Sequence, residues 1–470
     1  MRRVALLALV ALLPALLTGC GASLASAPAG DGAADFLPSS VDLVVSLDGD
    51  LEGEQWAQAE ELLNRFPRLK TFAGEALGGL GGTQAEWDAA LGPEVVLAVV
   101  NLEYEEAVGL TRPDDPAELR RLVEEAGGTV AELDGGWWAA ARDERAIERL
   151  LTARAADGAL SGRDDFRQLN GKLPDDALAR IFVRGGPADD ALADLPVLPE
   201  PLGRALDCLA GGRDIPSAAL ALRAEAGGVR VDGALDRPEG WPDGEDGVWN
   251  IADTAPERPL LFAGAASLPE GVDRALACAA GADGELTQML RLLGSSATSL
   301  LDGEVAVAVY PAARRSDRPS PPTVTLWAEV DEERARGTVE ELAGLASTLV
   351  PGLTVEDVDV DPDQTRQATV LLQDGEPLLY VGVELGLLVV SNTERGVEGL
   401  LTIHDAPLSA DTRFRAAADE AFGGYPTEED VLLYLDAAAA HDERAPLDTL
   451  LLAAKASGDT VRVEGFLAID

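Results

Sequence analysis

The sequence predicts an α+β protein made of two tandem repeats, each a mainly antiparallel sheet with helices packed on one face. Short strand-like segments joined by Gly-rich turns indicate antiparallel neighbours. Blocks of sequence in the first half recur in the same order in the second half, which indicates an internal duplication. Inside each repeat the predicted elements follow the split βαβ order of strand, helix, strand, strand, helix and strand.

The duplication rests on aligned blocks that keep their order along the chain. Leu91–Val99 aligns with Leu301–Val309, and Gly136–Arg145 aligns with Gly386–Arg395. Both pairs combine a run of apolar residues with the same Gly or Glu positions. The remaining aligned blocks are Glu148–Thr152 with Glu398–Thr402, Leu160–Arg167 with Leu408–Arg415, and Val229–Leu235 with Val461–Leu467.

These blocks place repeat one at residues 35–236 and repeat two at residues 258–470. Residues 237–257 are rich in Pro and Gly and are predicted to form a linker or an ordered strap. Repeat two adds a hairpin near Asp361–Pro377. In repeat one the periodicity predicts strands at 41–47, 95–101, 107–112, 129–133, 136–141, 179–184, 218–226 and 229–235, and helices at 57–66, 115–125, 144–153 and 164–169.

The N-terminus predicts export and lipid anchoring. Two arginines precede the apolar stretch Val4–Leu17, which is too short to span a bilayer and is typical of a signal peptide. Leu17–Cys20 then resembles the bacterial lipobox, so residues 1–19 are predicted to be removed and Cys20 to carry the lipid. The alternative is a chance cysteine behind an ordinary signal peptide. Residues 20–34 form a flexible tether, and the predicted location is extracytoplasmic, anchored to a bacterial membrane.

The charge balance excludes several partners. The chain has 83 acidic against 37 basic residues and a formal net charge of -46. Such a surface repels phosphate groups, which excludes nucleic acid and anionic lipid head groups as partners. The acidic excess fits a saline setting or simple solubility, and the sequence does not choose between them.

Two cysteines, Cys208 and Cys278, remain after the predicted lipidation site. Outside the cytoplasm they are a possible disulfide pair, whose bridge would contribute about 4 kcal/mol in the chain-entropy model. The alternative is two buried thiols on helices. The sequence leaves both readings open.

The lack of common catalytic motifs predicts that the chain is not an enzyme and holds no cofactor. The sequence contains no serine-hydrolase elbow, zinc-protease helix, dinucleotide fingerprint or Walker loop. Its two histidines, His404 and His441, stand alone in sequence. Neither has a histidine at the aligned position of the other repeat.

Asp357, Asp359, Asp361 and Asp363 alternate along one predicted strand, which would place four carboxylates on one face. Such crowding is typical of a Ca²⁺ site. The spacing lacks the Gly of an EF-hand loop, however, because Pro362 occupies that position. The cluster is therefore a weak metal candidate, and a solvated edge in an acidic protein is the favoured interpretation.

Trp137 and Trp138 suggest two interpretations, a stacking platform for glycans or peptides, or a packed core pair. Their aligned counterparts are Leu387 and Leu388, so the positions require bulk rather than an aromatic face. Packing is the favoured interpretation. Trp241, in the Pro-rich strap, is predicted with Trp249 to pin that segment to a repeat.

Several of these motifs resemble the uncharacterised bacterial envelope family catalogued as domain of unknown function 3352. The resemblance lies in the strand Leu37–Asp48, the Leu-Gly-Pro-Glu-Val start at Leu91, and the Leu-Ser and Phe-Arg pattern at Leu160 and Phe166. It covers most of residues 35–470. The family implies an exported or membrane-anchored protein and brings no established activity and no catalytic residues.

The sequence therefore predicts a non-enzymatic, lipid-anchored envelope protein with a binding or scaffolding role. Its partners would be the membrane, through the lipid on Cys20, and an unknown envelope protein, cell-wall component or apolar ligand. The main alternative is a carrier or chaperone that encloses a hydrophobic ligand. A third hypothesis is an envelope hydrolase that uses carboxylates alone, as glycosidases do.

Overall fold

The structure is a computed structural model, and the fold it describes is mostly antiparallel sheet with helices, which confirms the predicted α+β class. No helix among the described residues is long and apolar enough to cross a membrane. The described residues are 32–50, 53–66, 86–87, 90–101, 106–187, 214–238, 241, 249–267, 303–312, 322–349, 352–361, 366–401, 407–424, 429–440 and 446–470.

The chain divides into two compact units. Unit 1 comprises the residues up to Pro238 together with Ser457–Val463 and Ile469–Asp470, and unit 2 comprises Glu239–Ala456 and Glu464–Ala468. The strands of the first part of unit 1 are β1 (Leu43–Asp48), β2 (Glu94–Asn101), β3 (Glu106–Thr111), β4 (Thr129–Glu132), β5 (Trp138–Ala141), β6 (Ala179–Val183), β7 (Gly186–Pro187), β8 (Asp214–Ile215), β9 (Ala218–Glu225) and β10 (Gly228–Asp236). Its helices are α1 (Glu54–Asn64), α2 (Pro116–Glu125), α3 (Glu144–Asp157) and α4 (Asp164–Asn170).

The main sheet of unit 1 has the neighbour order β4-β5-β3-β2-β1-β6-β9-β10, and every adjacent pair is antiparallel. Two of its helices begin at an aspartate cap. Asp115 accepts the N–H groups of Ala117 and Glu118, and Asp143 accepts the N–H of Ala146. These caps satisfy backbone donors that have no partner inside the helix, so they define where α2 and α3 begin.

Helices cover both faces of this sheet, which corrects the prediction that they pack on one face. Ala139 of β5 belongs to the core that contains α3, whereas the flanking Trp138 and Ala140 pack with α2. Successive side chains of a strand point to opposite faces, so α2 and α3 lie on opposite sides of β5. The reason is that β5 is apolar at consecutive positions rather than at alternate ones, as in sheets that are buried on both faces.

Unit 2 has the same antiparallel character. Its strands are β11 (Leu261–Ala265), β12 (Val305–Tyr310), β13 (Thr323–Glu329), β14 (Leu353–Asp361), β15 (Arg366–Gln373), β16 (Glu376–Glu384), β17 (Leu387–Ser391), β18 (Val431–Asp436) and β19 (Leu447–Ser457), and β19 pairs with β20 (Thr460–Ile469). Its helices are α5 (Trp249–Thr254), α6 (Glu332–Leu349), α7 (Glu394–Leu401), α8 (Thr412–Phe422) and α9 (Ala437–Ala440). The neighbour order is β14-β15-β16-β17-β13-β12-β11-β18-β19.

The sheet of unit 2 is also covered on both faces. Val389 of β17 lies in the core with α7 and α8, and its neighbour Leu388 packs with Ala335 of α6. The hairpin predicted near residues 361–377 corresponds to β15 and β16, whose turn is Asp374-Gly375. Both turn residues have positive φ, of 54° and 82°, as a two-residue hairpin requires.

The Pro-rich stretch 237–257 contains α5, whose Ala252 is buried in the core of unit 2. The indole N–H of Trp241 donates to Asp430 Oδ2 at 3.0 Å, and the same oxygen accepts the N–H of Ala456 at 2.6 Å. Asp430 is itself buried. Trp241 therefore ties this stretch to unit 2.

Candidate functional site

Most of the predicted site residues lie outside the described part of the chain. They are the lipidation residue Cys20, the candidate disulfide residues Cys208 and Cys278, Asp363 of the acidic cluster, and the histidines His404 and His441. The lipid anchor and the disulfide therefore stay predictions.

Two members of the acidic cluster, Asp357 and Asp359, lie exposed on β14. Asp357 Oδ1 accepts the hydroxyl of Thr369 at 3.2 Å, and Asp359 Oδ1 accepts the side-chain N–H of Gln367 at 3.3 Å. Asp361 lies opposite Arg366 at an irregularity in the ladder with β15. Asp357 and Asp359 thus accept hydrogen bonds from neighbouring side chains, whereas a Ca²⁺ site needs six to eight oxygen ligands directed at the ion. Within the described ranges no group of three His, Cys, Asp or Glu residues is placed to hold a metal.

The tryptophan pair is packed, as the sequence favours. Trp137 is only 1% exposed, and the guanidinium carbon of Arg112 lies 4.9 Å from the centre of its ring. Trp138 is buried on the other face of the sheet with α2. A buried ring offers no surface to a glycan, so the stacking-platform interpretation is wrong.

The best-formed carboxylate cluster of unit 1 surrounds Asp165, in the first turn of α4. Arg163 donates to both of its oxygens, at 2.7 and 2.6 Å, and Ser217 Oγ donates to Oδ2 at 2.7 Å. The N–H of Phe166 donates to Oδ1 at 2.8 Å. Ser217 is 4% exposed and also accepts the N–H of Gly185. The cluster ties the start of α4 to the ends of β6 and β9.

A second carboxylate, Asp236, shares this environment, and the pKa values of the two groups move apart. Burial acts to raise the pKa of Asp165, but hydrogen bonds from Arg163 and Ser217 outweigh it and the net pKa is lowered. The pKa of Asp236 is raised by burial and by the charge of Asp165. Separated carboxyl pKa values are typical of acid–base pairs. Four donors already occupy the oxygens of Asp165, however, so little acceptor capacity is left for a substrate.

Unit 2 has a comparable cluster around Arg413, in the first turn of α8. Arg413 Nη1 donates to Asp436 at 2.9 and 3.0 Å, and Nη2 lies 3.0 Å from Asp448. Asp436 also accepts the N–H of Ala439, at the start of α9. Burial acts to lower the pKa of Arg413, but the neighbouring carboxylates outweigh it, so the pKa is raised. The cluster joins the start of α8 to the ends of β18 and β19.

The two clusters occupy aligned positions with exchanged charges. The alignment of Phe166-Arg167 with Phe414-Arg415 places Arg163 at Asp411 and Asp165 at Arg413. The partners differ, however: Arg163 pairs with Asp165, whereas Arg413 pairs with Asp436 and Asp448, and Asp411 caps α8 through the N–H groups of Arg413 and Phe414. The exchange keeps a charged contact at each helix start but not any chemistry that needs a carboxyl at one position. The clusters therefore have the character of structural clamps.

A different feature distinguishes the turn between β16 and β17. Leu385 has φ 56° and Gly386 has φ 76°, and the Leu385 side chain is 59% exposed. The turn aligned with it in unit 1 has glycine at both positive-φ positions, Gly135 at 68° and Gly136 at 81°. A leucine at positive φ is uncommon because its Cβ crowds the following carbonyl.

The Leu385 turn is fixed to the start of α6. The N–H of Gly386 donates to Glu332 Oε2 at 3.3 Å, and the carbonyl of Gly386 accepts the N–H of Val330 at 2.8 Å. Arg336 bridges Glu332 at 2.8 Å and Glu384 at 2.9 Å. Hydrogen bonds from Arg336 and Gly386 lower the pKa of Glu332.

This turn is absent from the residues predicted from the sequence. Its signal is a Leu-Gly dipeptide at the alignment position of Gly135-Gly136, where a two-residue hairpin favours Asn-Gly or Asp-Gly. The strain itself becomes visible only once φ is known.

No protein-family model matches the chain, and no curated protein matches it. Two solved structures of TP0453, crystal forms III and I, are similar to part of it, at 10% and 9% sequence identity. Each match covers 46% of this chain and more than nine-tenths of the other, with a TM-score of 0.26. A score this low carries no argument about fold or function.

Proposed function

We propose that the chain is a non-enzymatic, lipid-anchored protein of the bacterial cell envelope with a binding or scaffolding role. The proposed location rests on the export signal and on the lipobox that ends at Cys20. The predicted tether 20–34 is too long at its end, because Ala33 and Ala34 are buried in the core of unit 1. The part of it before Gly32 would hold the folded units near the membrane without inserting them.

The same proposal includes an origin by duplication, with the split βαβ order in each repeat. The neighbour order β5-β3-β2-β1-β6-β9 of unit 1 has the counterpart β17-β13-β12-β11-β18-β19 in unit 2, which supports a shared ancestor. In unit 1, β5 lies between β3 and β4, the strands that α2 connects, as the split order requires. Unit 2 has three strands, β14, β15 and β16, where unit 1 has β4.

The exchange of charges between the two clusters is the observation that carries the non-enzymatic role. Acid–base catalysis needs a carboxyl at a defined position, and Arg413 stands where unit 1 has Asp165. A guanidinium stays protonated and cannot replace a carboxyl in proton transfer. On this proposal the two clusters serve the fold, and a role in binding does not require them.

Metabolic labelling with an alkyne fatty acid tests the anchor. In cells of the source organism we expect Cys20→Ser to abolish the label and to move the protein from the membrane to the soluble fraction. Cys208→Ser is the matched control and should keep both the label and the location. Label retained on Cys20→Ser would overturn the anchor.

Native mass spectrometry of residues 21–470, which lack the lipidated cysteine, tests the role. A bare polypeptide mass is expected of a scaffold. A reproducible extra mass that extracts as lipid would replace the scaffold with the carrier hypothesis. Hydrolysis of an envelope glycan that Asp165→Asn abolishes while the fold survives would overturn the non-enzymatic assignment.

A further inference from the structure

The Leu385 turn lacks a visible compensation within the described fold. A non-glycine residue in the left-handed region costs about 1–2 kcal/mol. Burial of the side chain would offset that cost, but Leu385 is 59% exposed. The aligned turn of unit 1 reaches the same backbone region with Gly135, so a leucine is not needed to form such a turn.

Hydrogen bonds hold the backbone of the turn, as a binding anchor requires. The N–H and the carbonyl of Gly386 bond to Glu332 and Val330, and Arg336 pairs with both Glu332 and Glu384. A segment whose backbone is held in place before binding loses less freedom when a partner arrives.

The charge around the turn identifies the kind of partner. Five carboxylates lie on the neighbouring ends of β13, α6 and β16, with Arg334 and Arg336 as the basic groups of the same segments. Acidic surroundings repel anionic lipid and a second copy of this chain, whose net charge is -46. They attract a surface with a basic rim. The five carboxylates belong to Glu329, Asp331, Glu332, Glu333 and Glu384, of which Glu332 and Glu384 pair with Arg336.

We infer that Leu385 is the apolar anchor through which this protein docks onto a partner protein, by insertion into an apolar pocket rimmed with Arg or Lys. This inference rests on the proposed binding role and names the site and the partner class for it. The partner's pocket replaces the water around Leu385, and its basic rim faces the carboxylates that flank the turn.

Site-specific photo-crosslinking in cells of the source organism tests the inference. The full-length protein carries p-benzoylphenylalanine in place of Leu385, and matched proteins carry it in place of Gly135 or Leu151. Leu151 is an exposed leucine on α3 of unit 1. We expect an adduct with another protein from position 385 alone, with a crosslinked peptide that contains apolar residues flanked by Arg or Lys. The yield of this adduct should fall when irradiation is carried out at about 0.5 M NaCl, because salt screens the attraction between the carboxylates and the basic rim.

The purified partner then gives the affinity. Leu385→Gly should weaken binding by about tenfold or more, whereas Leu151→Ala should leave the Kd unchanged. Leu385→Gly should leave Tm unchanged or raise it, since glycine accepts the positive φ without strain. The loss of binding is therefore separable from a loss of fold.

The outcomes that overturn the inference are distinct from those that overturn the binding role. An adduct from Leu151 or Gly135 but not from Leu385 removes the anchor and keeps the binding role. Adducts from none of the three positions count against both. An adduct with lipid or with a second copy of this chain overturns the partner class. A Kd that Leu385→Gly does not change overturns the anchor.

Discussion

Replacing Asp165 with Asn removes the charge but nearly keeps the shape of a side chain that four donors surround. A hydrogen bond to a charged group contributes about 1.5–3 kcal/mol, and a partly exposed pair contributes less because solvent screens it. The side chains of Arg163 and Asp165 are 23% and 22% exposed. We therefore expect the free energy of unfolding to fall by about 1.5 kcal/mol, equivalent to a fall in Tm of about 3–6 °C.

The neighbouring Asp164 provides the matched control. It lies in the same turn of α4, but its side chain is 91% exposed and its ion pair with Arg167 faces solvent. Both substitutions remove one negative charge near the helix start and therefore lose the same favourable interaction with the helix dipole. Asp164→Asn should change stability by less than about 0.5 kcal/mol. Urea titration followed by circular dichroism measures both variants.

The pH dependence provides the decisive comparison. The pKa of Asp165 is lowered in the folded state, because hydrogen bonds from Arg163 and Ser217 outweigh the effect of burial. Its contribution to stability is complete above the unfolded pKa of about 3.9 and is lost as the pH falls through the lower folded pKa. The stabilities of the wild type and Asp165→Asn should therefore converge in strong acid. Equal losses from the two variants near neutral pH, or a difference that persists in acid, would refute the reasoning.

Two further substitutions test the same description of the fold. Asp236 has a raised pKa in the folded state, so its ionised form destabilises the fold once the pH exceeds the pKa of an unfolded aspartate. Asp236→Asn should therefore raise the free energy of unfolding by less than about 1 kcal/mol near neutral pH and leave it unchanged in acid, as measured by the same urea titration. Gly92→Ala should cost about 3 kcal/mol or more, because its Cβ would lie 1.5 Å from the carbonyl oxygen of Arg112. Gly337→Ala on α6, with no heavy atom within 4 Å of its Cβ, should instead gain about 0.5–1 kcal/mol; a loss there would count against the open environment.

Local signals predicted the individual elements well. The strand predicted at 107–112 corresponds to β3, and the helix predicted at 144–153 corresponds to α3, which continues to Asp157. Asp143 lies directly before that helix, and its cap depends on a contact three residues away. Periodicity and capping are properties of adjacent residues, so a sequence carries them in full.

The prediction of helices on one face was wrong because it concerned contacts between distant segments. The apolar run Trp137–Ala141 contained the relevant signal, since a strand covered on one face alternates apolar and polar residues. The same run aligns with Leu387–Ser391 of repeat two, which is also apolar at consecutive positions. The position of Leu385 in a strained turn was likewise beyond sequence reasoning, because it depends on the register of β16 with β17.

The aligned positions of the two halves differ in two physically distinct ways. Where Arg163 and Asp165 align with Asp411 and Arg413, the new residues find other partners within the fold: Asp411 caps α8, and Arg413 pairs with Asp436 and Asp448. Where Gly135 aligns with Leu385, the change adds backbone strain and places a leucine in water, and the described contacts of the turn are made by the backbone rather than by that side chain. Local rules are broken most often at functional positions. The exchanged charges therefore mark positions that serve folding, and Leu385 marks the position whose gain lies outside the fold.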